Sequence, residues 1–226
     1  MDGQELVGRV REDEATALSR LGSDKYLIAA TGADLGTGPV LRSVAAWTAT
    51  GRDAFERWAD EEDGDAAAAF ADAAERERDH YERVADALPD GDGGDDDGGG
   101  ATDDGEGATD DPIADAVGAA LAASEGTGER VAAGLVGRAL VADRVLLQVV
   151  NFFVNEADDR RADLARDLRS DADAQLETGI ELLDSVCESD DDWAAARRAA
   201  AQVVADAYGA YANALEAMGV DPKPVC

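Results

Sequence analysis

Residues 70–88 read FADAAERERDHYERVADAL, and this stretch decides the fold. Phe70, Ala73, Glu77, Tyr81, Val84 and Leu88 recur three and four residues apart, which predicts one apolar stripe along a helix. The only histidine of the chain, His80, borders that stripe. Glu77 lies one helical turn before it, so a carboxylate and an imidazole point together toward the packed side. Groups of this kind are costly to bury unless paired or coordinated. Two readings follow: Glu77 and His80 ligate a metal, or they form a hydrogen-bonded pair in the core.

Working outward, helical spacing recurs on both sides. A first helix is predicted from Gly3 to Ala30, with Leu6, Val10, Ala17, Leu21 and Ile28 on one face. Glu14 falls on that same face and is the third candidate ligand, since an inward ionisable group marks a site only by probability. Gly32, Gly36, Gly38 and Pro39 break the pattern. A second helix follows over Val40–Glu62, and Asp63-Gly64-Asp65 turns the chain into the helix quoted above. So short a turn predicts an antiparallel pair.

Asp111-Pro112 restarts order with a capping aspartate and a proline at the first helical position. A short helix to Ser124 precedes three long ones over Glu129–Asn155, Asp158–Glu188 and from Asp190 to Met218. The seam of the first runs through Leu135, Ala139, Ala142, Leu146, Val149 and Phe153, near the 3.5-residue repeat of helices packed lengthwise. No strand-length run of β-branched residues occurs. The fold class expected is therefore all-α, an up-and-down bundle of about six principal helices.

Between the halves, residues 90–111 read DGDGGDDDGGGATDDGEGATDD. Glycine and like charge without a large apolar residue predict a long disordered acidic linker. It divides the chain into N-terminal helices at 1–89 and C-terminal helices at 112–226. Calcium binding by DGDGGDDDG is a weaker alternative, because the terminal glutamate of an EF-hand loop is missing in register.

Acidic residues outnumber basic ones 51 to 20, for a net charge of −31. Only Lys25 and Lys223 are lysines. With 45% hydrophobic residues in periodic positions, most of the chain should still fold. The charge opposes direct binding to nucleic acid or an anionic membrane, and no basic patch or aromatic platform is visible. No window is apolar enough for a membrane span, and MDGQELVGRVREDE lacks a signal-peptide core, so a cytoplasmic protein is expected. Cys187 and Cys226 form neither a disulfide framework nor a CxxC metal motif. Trp47, Trp58 and Trp193 fit helix packing better than a cofactor box.

The second and third helices resemble the first helix pair of the rubrerythrin branch of ferritin-like proteins. Phe55-x-x-Trp58-Ala59, the acidic turn, and Phe70, Ala74, Glu77 and His80 carry the resemblance. It implies a ferritin-like bundle with half of a di-iron site: one glutamate from the first helix of the pair, then Glu-x-x-His from the second. This chain departs from that pattern. The first-helix glutamate falls at Thr48, a poor iron ligand. The second half has no histidine for a repeat of the set, and no rubredoxin-like cysteine module is present. Glu77, His80 and Glu14 remain as metal candidates, with Asp143 and Gln175 more remote. The resemblance thus implies a degenerate di-iron site, with no cofactor or with iron weakly held.

The acid-rich, lysine-poor, alanine-rich composition also resembles proteins of salt-loving archaea. With the ending Asp221-Pro222-Lys223-Pro224-Val225-Cys226, the whole chain resembles haloarchaeal proteins labelled rubrerythrin family or transcription antitermination protein. Three functions follow from these resemblances. The first is a non-catalytic or weakly metal-binding bundle. The second is a metal-dependent redox or peroxide-handling oxidoreductase of rubrerythrin type. The third is an antitermination-type factor acting through protein contacts rather than on RNA. A homo-oligomer or a protein partner is compatible with each.

Overall fold

The computed structural model describes residues 1–89 and 111–223. Of the linker expected over residues 90–111, residues 90–110, with the calcium alternative, lie outside the described residues, as does Cys226; Asp111 is described and caps a helix. Among the described residues the secondary structure is helical throughout, with no strand. Ten α-helices run α1 (Gly3–Asp13), α2 (Ala15–Leu21), α3 (Tyr26–Ala30), α4 (Thr37–Glu61), α5 (Gly64–Asp86), α6 (Pro112–Ala122), α7 (Thr127–Val131), α8 (Arg138–Asn155), α9 (Asp159–Val186) and α10 (Asp190–Ala217). A π-helical segment, Ala132–Gly137, joins α7 to α8 into one continuous rod.

Two helical hairpins form the frame. In the first, α4 packs along α5 across the turn at Glu62 and Asp63; in the second, α8 packs along α9. Gly64 takes the first turn at a φ of +62°, which a side chain would resist. Phe55, Trp58 and Phe70 lock this hairpin near its turn, with ring centroids 5.2 to 6.1 Å apart. All three rings are fully buried. Rings of this size each contribute about 1.5–3 kcal/mol through burial, with edge-to-face geometry adding to it.

The last helix is the hub. α10 contacts α1, α2, α3, α6, α7, α8 and the π-helical segment. It can lie close where its inner face is small: Ala196, Ala200 and Ala207 are fully buried between the larger Trp193, Val203, Val204, Tyr211 and Leu215. At Gly137 a Cβ would stand 2.6 Å from the Ala200 carbonyl oxygen, so the two backbones touch there. Its start matches the acidic signal in the sequence. Ser189 is the N-cap, and Asp192 closes a capping box.

The predicted first helix is corrected by the structure: it is three helices. The second break, at Gly22-Ser23-Asp24-Lys25, carries ordinary turn residues that the apolar spacing overrode in the sequence reading. The first break falls at Glu14, where no local breaker exists. On either side of it the partners differ in part: α1 packs on α9 and α10, α2 on α8 and α10. The stripe on α5 is corrected as well. His80, not Tyr81, faces inward: His80 is 3% exposed and Tyr81 is 37% exposed, with the Arg52 guanidinium over its ring. No helix among the described residues is long and apolar enough to cross a membrane.

Asp111 caps α6 as expected, its Oδ1 accepting the amides of Ile113 and Ala114 at 2.9 and 3.2 Å. Its other oxygen is buried and has no hydrogen-bond partner among the described residues. Burial pushes this carboxyl up to about 7, against the pull of the two amides.

Candidate functional site: a buried arginine–glutamate–histidine network

The inward face of α5 meets α4, α8 and α9 around four buried polar groups. Glu77 and His80 are each 3% exposed, Gln175 2% and Arg138 1%. Arg138 is the first residue of α8, directly after the π-helical segment. Its Nη1 donates to Glu77 Oε1 at 2.8 Å, and its Nη2 donates to the Trp47 carbonyl oxygen at 3.0 Å. The guanidinium lies over the Trp47 ring at 4.9 Å and near the Phe55 ring at 5.7 Å. Gly51 makes room for it: a Cβ there would stand 2.5 Å from the guanidinium carbon. A glycine in a helix interior costs about 1 kcal/mol relative to alanine, which the seating of this cation offsets.

Glu77 is saturated on one side. Its Oε1 also accepts from Gln175 Nε2 on α9 at 3.0 Å. Its Oε2 faces His80 Nδ1 at 3.9 Å, an ion-pair distance rather than a hydrogen bond. His80 Nε2 reaches Asp171 Oδ2 on α9 at 2.8 Å. The Asp171 side chain is 39% exposed, so the chain of groups runs from the centre of the bundle to solvent. Thr48 is buried beside this group of residues in α4, but its hydroxyl donates back to the Ala45 carbonyl at 2.9 Å.

The charges explain the titration. Burial alone would raise Glu77, but the Arg138 charge, with support from His80, outweighs it and holds the carboxyl down to about 2. Its share of stability is therefore complete above the usual carboxylate range and is lost only as pH falls toward that value. For His80, burial pulls downward, while Glu77 and then Asp171 push harder upward, so the imidazole stays protonated above its ordinary value. Its contribution is full below about 6.5 and is lost as pH rises through the folded value. As the only histidine, His80 gives a single pair of ring resonances. In an NMR titration these should move at a pH above that of an ordinary histidine side chain, and Asp171→Asn should bring the midpoint down. A midpoint at or below the ordinary value in the native protein would contradict the geometry.

No family model, curated protein or solved structure matches the chain.

Of the candidate ligands, the structure brings Glu77 and His80 together and adds the remote candidate Gln175. Glu14 does not join them. It sits half-buried at the α1–α2 junction, its carboxyl raised by burial and by neighbouring Asp13. Asp143 turns instead to Arg169, at 2.6 Å. The iron that the ferritin-like resemblance implies does not fit these donors. Glu77 already holds a guanidinium and an amide, His80 Nε2 is committed to Asp171, and Arg138 brings a fixed positive charge to the place a cation would take. Among the described residues no three His, Cys, Asp or Glu side chains are grouped to hold a metal ion. Cys187 is a buried free thiol, pushed up to about 11 by burial and nearby acidic groups, which makes it a small packing residue rather than a nucleophile.

Sequence reasoning missed Arg138 and Asp171. Arg138 had a readable signal: it is the one charge in the apolar run Val131–Ala142, and Gly51 falls in the interior of α4, where a glycine calls for a reason. Asp171 had none, since it is one of many acidic residues on a helix surface.

Proposed function

We propose that this chain is a non-catalytic bundle of ferritin-like type that works through protein contacts, with its interior carboxylate neutralised by Arg138 instead of iron. The observation that carries this reading is the buried ion pair of Arg138 with Glu77. In a di-iron protein the inward glutamate is free to meet a metal; here it accepts two N–H groups. A redox or peroxide-handling centre needs several ligands and open coordination positions. The −31 net charge supports action on a protein rather than on a nucleic acid.

Metal analysis of protein purified in molar KCl without chelators tests the proposal. Iron well below one equivalent per chain is expected, with no di-iron absorption band. Stoichiometric iron that survives dialysis would overturn the reading and restore the rubrerythrin-type oxidoreductase.

A further inference from the structure

The surroundings of Arg138 form a receptor for one chemical group. Only the terminal amines of the side chain are held, by a carboxylate on α5 and a carbonyl on α4. The Nε is buried and has no hydrogen-bond partner among the described residues. Two aromatic rings lie against the guanidinium carbon, and Gly51 leaves the space that its plane fills. A planar cation with two donors reaching two separate acceptors, Glu77 and the Trp47 carbonyl, and with its carbon over aromatic rings, is a guanidinium rather than an ammonium or a metal ion. A metal would need more oxygen or nitrogen donors than Glu77 and the Trp47 carbonyl supply.

We infer that the centre of the bundle is a guanidinium-selective cation seat, built by Glu77, Trp47, Gly51 and Phe55, which Arg138 occupies as a tethered ligand. The aliphatic stem of Arg138 then serves as a tether, and the seat should accept the same head group free in solution when the tether is cut back. The seat rests on contact geometry alone, so it stands or fails separately from the metal content of the native protein.

Arg138→Ala, purified in molar KCl, is titrated with methylguanidinium chloride while thermal unfolding is followed by circular dichroism. A saturable rise of the midpoint at millimolar ligand is expected in the variant. None is expected in the native chain, whose seat is full, or in the Glu77→Gln/Arg138→Met pair, whose seat has lost its anion. Manganese chloride and urea serve as comparison solutes and should produce no saturable rise. If Arg138→Ala does not fold alone, methylguanidinium is added during refolding. Recovery of the helical signal then supports the seat, and failure to recover overturns it. A folded Arg138→Ala protein indifferent to methylguanidinium, or one stabilised by manganese instead, overturns it equally.

Discussion

Methionine in place of Arg138 is expected to destabilise the fold by about 3–5 kcal/mol, and adding Glu77→Gln is expected to return most of that loss. The reason is an asymmetry. The single change leaves Glu77 ionised and buried, with only Gln175 and a more distant imidazole to answer it. An uncompensated charge in a packed interior costs several kcal/mol, whereas removing both charges of a pair is often neutral. Urea unfolding in molar KCl, run as a double-mutant cycle over the four proteins, measures the coupling. If the pair is as unstable as the single variant, the loss lies in the packing of the guanidinium on Trp47 and Phe55, and the ionic account is wrong.

Low salt is expected to have the larger effect, removing the fold altogether. The net charge is −31, and much of the small basic complement is already engaged locally, as in Arg130 with Glu61 and Glu62 or Arg83 with Asp167. Exposed pairs such as Arg83 with Asp167 contribute at most about 1 kcal/mol each, too little to offset repulsion among the remaining carboxylates. Near 1 M salt the screening length falls to about 3 Å and the repulsion fades. Dialysis to low salt should abolish the helical circular dichroism, and molar KCl should restore it. A thermal midpoint that does not move with salt would exclude this balance of forces.

The helices were legible because apolar spacing, caps and turns agree along most of the chain. α5, α6, α9 and α10 begin and end within a few residues of the reading, where Asp63-Gly64, Asp111-Pro112, Asp158 and Ser189 mark their starts. The break at Glu14 was illegible because no glycine or proline stands there to mark it. Within the site, Glu77 and His80 were legible from a shared helix face. Their true partners were not, because Arg138 and Gln175 arrive from helices 61 and 98 residues further on. Periodicity reports which face a side chain occupies, but not which helix stands opposite. A resemblance limited to one helix pair filled that gap with iron, where this chain supplies an arginine.

The π-helical segment has a consequence for how this interior can change over time. A π-turn holds one more residue than the α-helical turn it replaces, so it resets the facing of everything after it by about 100°. Ala132–Gly137 therefore sets the angular phase at which Arg138 leaves the rod. Loss of a single codon there would restore plain α-helix and swing the guanidinium out from between α4 and α5, with no substitution at any residue it touches. The charge state of this core is thus encoded in chain length as much as in residue identity. Insertions and deletions near Gly134, more than point changes, are the mutations through which a lineage could exchange a tethered cation for an open ligand site.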